Sequence, residues 1–206
     1  MNSQATPTLF VVRHGETEWT LTGQHTGITD LSLTPAGQDQ ARQLAPWLGS
    51  VQFAHILSSP RLRARQTCDA AGLGSNPPTE PDLAEWDYGA YEGRRSAEIQ
   101  AEKPGWNGFI DGYPGGESPA QISDRADRLI ARLAKLAGNI ALFSHGHMSA
   151  ILIARWAGLE VRAAEHFPLS TASLSILATS PSHPKTRTIT LLNAVPARLG
   201  ARGGLG

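Results

Sequence analysis

Two short apolar runs each end in a histidine followed by glycine. The first reads Leu9-Phe10-Val11-Val12-Arg13-His14-Gly15-Glu16-Thr17, the second Ile140-Ala141-Leu142-Phe143-Ser144-His145-Gly146-His147. An imidazole can act as nucleophile, base or metal ligand. Arg13 beside it supplies a planar fork that matches phosphate oxygens, and the amides of a glycine turn add a cradle for anions. Two imidazoles and an arginine at one site suit attack on phosphorus. Taken alone, Arg13-His14-Gly15 reads equally as a capped strand end with a surface histidine.

Two further clusters add chemistry. In Ser58-Ser59-Pro60-Arg61-Leu62-Arg63-Ala64-Arg65-Gln66-Thr67, Ser59 is placed to cap a helix whose amino end attracts phosphate. Arg61 and Arg65 are four apart on one helix face and Arg63 points away from them, so either the pair or the single arginine can enter a site. The alternative is a solvated basic face. In Leu83-Ala84-Glu85-Trp86-Asp87-Tyr88-Gly89-Ala90-Tyr91-Glu92-Gly93, aromatics alternate with carboxylates. Such a stretch can wall a pocket and hold one acid in an apolar setting, where burial raises its pKa toward that of a proton donor. An edge strand explains the alternation as well.

Several mechanisms lack their motifs: there is no Gly-Lys-Ser/Thr phosphate loop, no His-Glu-x-x-His and no complete Gly-x-Ser-x-Gly elbow. His145 and His147 can in principle ligate a metal, but no Asp/Cys-rich partner motif stands beside them, so no metal is expected.

The elements that must position these residues are an alternation of strands and helices. Continuous apolar runs predict strands over 9–13 and 140–144, buried on both faces, with further strands over 54–58, 172–178 and 186–192, the last two joined as a hairpin. Helices are predicted over 36–48, opened by Thr34-Pro35, and over 59–71, stopped by Gly72. A third follows the capping box Ser118-Pro119-Ala120-Gln121, and a fourth spans 147–157. The resulting fold class is α/β: a three-layer sandwich with a mixed, mostly parallel sheet and helices on both faces. Ligands of such sheets gather outside the carboxyl ends of the strands, where His14 and His145 meet if their strands are parallel neighbours. Segments 72–81 and 103–116 read as loops, and the Gly-, Ala- and Arg-rich tail over 195–206 reads as disordered. Residues 1–206 are expected to form a single domain.

Composition narrows the partners. Eighteen basic and 18 acidic residues balance to zero, which argues against a general nucleic-acid binder. One cysteine, Cys68, excludes an internal disulfide and suits a reducing compartment. Its neighbours Ala64, Thr67, Ala70 and Ala71 mark it as a small buried filler. Residues 1–8 lack a basic and then apolar leader, and no apolar run reaches the length of a membrane span, so a cytoplasmic protein is expected.

Five motifs occur in order: Arg13-His14-Gly15-Glu16-Thr17; Ser59-Pro60 with Arg63-Ala64 and Gln66-Thr67; Glu85 with Tyr88-Gly89 and Glu92-Gly93; Gly115-Gly116-Glu117-Ser118; and Ser144-His145-Gly146. Over roughly residues 9 to 178 the chain resembles the histidine phosphatase superfamily, also called phosphoglycerate-mutase-like. The resemblance implies that His14 is a nucleophile that becomes phosphohistidine. It also implies that Arg13, Arg63 and His145 hold the phosphoryl oxygens, and that Glu85 protonates the leaving oxygen and then activates water. Gln24, Thr26 and Gly27 would line the entrance, with Tyr88 and Gly146 beside the substrate. Thr20 departs from the pattern, because many relatives carry an asparagine there that touches phosphate; a hydroxyl can still donate from that position. Physical logic agrees: two arginines lower the pKa of His14 and stabilise the transferring group without a metal.

The branch that this chain looks most like contains acid phosphatases and sedoheptulose-bisphosphatase-like enzymes. A metal-independent phosphomonoesterase is expected, acting on small phosphorylated metabolites such as sugar phosphates, with no cofactor and as a monomer or homodimer. The alternatives are a cofactor-dependent phosphoglycerate mutase and a non-catalytic phospho-ligand sensor. A mutase needs a lid and extra basic groups, whereas the short 92–106 connection holds a single lysine, Lys103.

Overall fold

Alternation of apolar side chains along two neighbouring strands builds two cores, one on each face of a sheet. The computed structural model describes residues 7–183 and 186–196. Strands β1 (Thr8–Arg13), β2 (Phe53–Ser58), β3 (Asn139–Ser144), β4 (Leu174–Thr179) and β5 (Arg187–Ala194) form one sheet in the order β2-β3-β1-β4-β5. The first three are parallel, while β4 runs antiparallel to β1 and β5 antiparallel to β4. The helices are α1 (Glu18–Thr22), α2 (Pro35–Arg42), α3 (Ala45–Leu48), α4 (Leu62–Ala70), α5 (Ser96–Glu102), α6 (Gly108–Asp111), α7 (Pro119–Leu133) and α8 (Gly146–Trp156).

Leu9, Val11, Ile140 and Leu142 pack on the face covered by α7 and α8. Phe10, Val12, Ala141 and Phe143 pack on the other, with Leu48 of α3 and Ala64 and Cys68 of α4. This is the three-layer sandwich with a mixed sheet expected from the sequence. Cys68 is fully buried, and burial pushes its thiol up to about 12, so it fills space as expected. Among the described residues no helix is long and apolar enough to cross a membrane. The tail reading over 195–206 falls outside the described residues except at positions 195 and 196.

Helices α1 and α5 were not expected, and other elements differ from expectation. The helix predicted over 36–48 breaks into α2 and α3, because Pro46 has no N–H for the Arg42 carbonyl and its ring crowds that group. The next helix starts at Leu62 rather than at Ser59: Arg61 is its N-cap, and the Leu62 N–H donates to Asp30 at 2.7 Å. Strand β4 begins at Leu174, after Ala172 takes a left-handed φ of 48°. The 103–116 loop contains α6, capped by the Asn107 side chain, which accepts from the Phe109 N–H. The Ser118–Gln121 capping box forms as read from the sequence.

Gly15 is needed for closeness rather than for a turn. Its φ is not left-handed, but a Cβ there would stand 2.4 Å from the Gly37 carbonyl oxygen, and one on Gly37 would stand 2.2 Å from the Glu16 carbonyl oxygen. The chain after His14 thus lies backbone to backbone on α2, held further by the Glu16 N–H on Gln40. Gly37→Ala is expected to force these segments apart at a cost of about 1–3 kcal/mol. For a chain of this size that lowers the melting temperature by roughly 2–4 °C per kcal/mol. A thermal melt superimposable on that of the parent protein would refute this account of the contact.

Candidate active site

Parallel pairing of β1 with β3 sets Arg13 opposite Ser144, so the residues that follow emerge side by side. The His14 and His145 rings lie 5.2 Å apart, centroid to centroid. Both are buried, and their hydrogen bonds fix their tautomers. His14 Nδ1 lies 2.7 Å from the Gly15 carbonyl oxygen, which can only accept, so Nδ1 carries the proton and Nε2 the lone pair. Burial, and then the charges of Arg63 and Arg13, hold the His14 pKa well below the ordinary histidine range. His145 has the opposite tautomer. The Arg63 Nε–H donates to its Nδ1 at 3.2 Å, so Nε2 holds the proton and donates to Ser59 Oγ at 2.7 Å. Burial and the same arginines keep His145 neutral as well.

The arginines divide the work. Arg13 crosses the amino end of α8, where a Cβ on Gly146 would stand 3.4 Å from its guanidinium. One terminal nitrogen donates to the Leu169 carbonyl, and its buried Nε–H has no partner among the described residues. Arg13 and His14 both line a cavity of about 350 Å³. Arg63 is fully buried behind that wall and donates to the carbonyls of Thr26, Thr29 and Gly27 as well as to His145. Arg63 thus reaches the histidine pair through His145 and does not itself line the cavity. Of the opposite pair, Arg65 bonds Asn76 instead.

The amides that follow His14 and open α4 do not form the anion cradle. The Gly15 N–H donates to Thr67 Oγ, and the first amides of α4 are taken by Ser59 and Asp30. Glu85, on the cavity wall, has not the apolar setting expected of it. Its Oε1 accepts from the amides of Trp86 at 2.9 Å and Met148 at 2.8 Å, and its Oε2 from that of His147 at 3.1 Å. The carboxyl thus sits on the amino end of α8. Arg125 fixes the segment that carries it by donating to the Asp82, Ala84 and Glu85 carbonyls while paired with Glu117.

A nucleophile-ready imidazole, an unpaired arginine N–H and a carboxyl on one cavity are the parts of a phosphoryl-transfer site, and the chain matches the histidine phosphatase superfamily (branch 1) over residues 9–191. The chain belongs to this superfamily. It is similar to an acid phosphatase of Mycobacterium tuberculosis (strain ATCC 25618 / H37Rv), 41% identical over 82% of this chain and 84% of the relative. A sedoheptulose 1,7-bisphosphatase of Saccharomyces cerevisiae is 37% identical over 76% of this chain and 70% of the relative. A solved structure of a Mycobacterium tuberculosis open reading frame superposes with a TM-score of 0.86 at 36% identity, covering 92% of this chain and 98% of that one. The protein is a phosphoric monoester hydrolase of this superfamily.

The remaining pocket residues of the phosphatase fall into two groups. Thr20, Gln24, Thr26, Tyr88 and Gly146 all line the cavity. The Thr20 hydroxyl, however, donates to the Thr17 carbonyl at 2.7 Å and accepts from the Thr17 N–H, closing the capping box of α1. Gln24 is pinned by its Nε2 to the Gly93 carbonyl. Gly27 does not line the cavity. Its N–H donates to Glu92, and a Cβ would stand 2.5 Å from the Trp86 carbonyl oxygen. His147 is no metal ligand partner for His145, whose two ring nitrogens are both engaged; its own Nδ1 pairs with the Tyr88 hydroxyl at 2.8 Å. Among the described residues no group of three or more His, Cys, Asp or Glu is placed to hold a metal.

Sequence reasoning missed His25, Ser59 as partner of His145, Phe109, and Glu165 from the 3-10 turn Val161–His166. The aromatic spacing around Tyr88 was the one local signal for this wall. Nothing local marks Glu165.

Proposed function

We propose that this phosphatase hydrolyses monoesters of small phosphorylated metabolites, sugar phosphates among them, through a phosphohistidine at His14. The observation that carries the reading is the His14 tautomer: a proton fixed on the Gly15 carbonyl leaves Nε2 free beside the unpaired Nε–H of Arg13. Nε2 attacks phosphorus, a nitrogen–phosphorus bond forms, and the ester bond to the leaving oxygen breaks. Arg13 receives the phosphoryl oxygens, with Arg63 and the Nε2–H of His145 supplying positive potential from behind the wall. Glu85 gives its proton to the leaving oxygen from Oε2, the oxygen with only one amide bond. It then takes a proton from water, which attacks the phosphohistidine and releases orthophosphate. The names of the acid phosphatase and sedoheptulose bisphosphatase relatives support the substrate class. The lone buried Cys68 suits a cytoplasmic setting.

The fate of phosphohistidine is the testable point. Lys103 does not line the cavity, so it is not there to hold the carboxylate of a phosphoglycerate. With 2,3-bisphosphoglycerate supplied, release of free phosphate is expected to exceed an enolase-coupled mutase signal on every monophosphate tried. A mutase rate above the hydrolysis rate would overturn the assignment, and a rate restored only by added divalent ion after EDTA would overturn the metal-free step.

A further inference from the structure

Next to the main cavity lies a second one of about 220 Å³. The two share His25, Ser96, Phe109, His147 and Glu165, so the second is an annex to the main cavity whose lining leaves out Arg13 and His14. Trp106 and Tyr113, 5.5 Å apart, complete an aromatic wall with His25, whose ring lies 6.1 and 5.6 Å from theirs. Polar groups punctuate it: Ser96, whose hydroxyl pairs with His25 Nε2, together with Gln100 and Asn107.

The charge inventory is one-sided. Among the described residues Arg13 is the only lysine or arginine that lines either cavity, and it lies at the nucleophile end. The two imidazoles of the annex add no positive charge near neutrality. Burial, and then the neighbouring His147, push His25 down to about 4, and burial also lowers His147. The one carboxylate at the junction is Glu165. Its Oε2 accepts from Asn107 Nδ2 at 2.8 Å, a bond that lowers its pKa and keeps it ionised. Arg162 and His166, each 3.6 Å from Glu165, are largely exposed and line neither cavity. A wall of aromatic faces, amides and hydroxyls with one carboxylate acceptor fits a hydroxylated alcohol. It repels a second phosphate.

Resting on the phosphatase reading, we propose that the annex is the leaving-group subsite for an uncharged polyhydroxylated alcohol carrying a single phosphate, and that Glu165 is the residue that rejects bisphosphates. Glu165 accepts hydroxyl donors of the correct alcohol. Its charge, which Arg162 and His166 offset only from outside the cavity linings, disfavours a distal phosphate dianion at the same place.

The experiment compares kcat/KM for fructose 6-phosphate and fructose 1,6-bisphosphate by phosphate release, with p-nitrophenyl phosphate run alongside. The parent enzyme is expected to prefer the monophosphate by about tenfold or more. In Glu165→Gln the ratio of bisphosphate to monophosphate kcat/KM should rise by about fivefold or more, while Glu165→Asp, which keeps the charge, should stay near the parent ratio. A parent enzyme that takes the bisphosphate equally well overturns the proposal, as does an unchanged ratio in Glu165→Gln. Turnover of p-nitrophenyl phosphate with none of either sugar phosphate also overturns it. Failure on p-nitrophenyl phosphate itself would instead overturn the phosphatase reading beneath it.

Discussion

Replacing His14 by alanine is expected to reduce turnover by about a thousandfold or more, since it removes the atom that bonds to phosphorus. The parent enzyme, quenched rapidly during turnover, should carry acid-labile phosphate on the protein, and His14→Ala should carry none. The pH profile tests the same atom. Nε2 attacks only when the ring is neutral, and burial with Arg63 and Arg13 lowers the His14 pKa well below the usual value. The sign is therefore definite: the reactive form persists at pH values where an ordinary histidine is half protonated. Corrected for substrate ionisation, the acid limb of kcat/KM that belongs to His14 should lie well below pH 6.5, separate from the loss at higher pH as the proton donor ionises. Activity of His14→Ala within tenfold of the parent would sink the covalent mechanism.

How far these features could be read from the sequence depends on how local their causes are. Strands β1 and β3 are continuous apolar runs because both faces of each are covered, and such runs identify themselves. Their glycine-marked ends place the two histidines, and the Ser118–Gln121 box is a matter of three residues. The separation of Arg63 from Arg65 is helix geometry, so the burial of one arginine against His145 was among the arrangements that the spacing allowed.

Where the cause is distant, the sequence misleads. Ser59 before Pro60 has the local signature of a helix cap, yet its hydroxyl serves His145, 86 positions away. Gly15 carries the sign of a turn, but its small size is required by Gly37 on another element. Glu85 stands among aromatics in the sequence and receives instead the amides of α8, which only the folded sheet brings there. Thr20 looks free to donate until α1, too short and polar to be foreseen, engages its hydroxyl. Glu165 comes from a turn beyond α8 and acquires meaning only where α6 meets that turn through Asn107.

Glu85→Gln is expected to separate substrates by their leaving groups. An alkoxide leaves poorly unless it is protonated, whereas a nitrophenolate leaves without help. Loss of the proton donor should therefore reduce kcat on a sugar phosphate by about a hundredfold to ten-thousandfold, and on p-nitrophenyl phosphate by far less. The geometry sharpens the test. A glutamine can still accept from the amides of Trp86 and Met148, but its NH₂ then faces the His147 N–H, donor against donor, where Oε2 now accepts. Some local rearrangement at the amino end of α8 is thus built into the variant, and it reaches Arg13 through Gly146. That disturbance acts on both substrates alike, because the phosphoryl group sits in the same place for each. Only proton transfer to the leaving oxygen distinguishes them. The ratio of the two rates, measured on one preparation, therefore reports the acid role free of any loss of fold. Equal losses on both substrates would make Glu85 an anchor of the helix end, and the proton would have to come from another group.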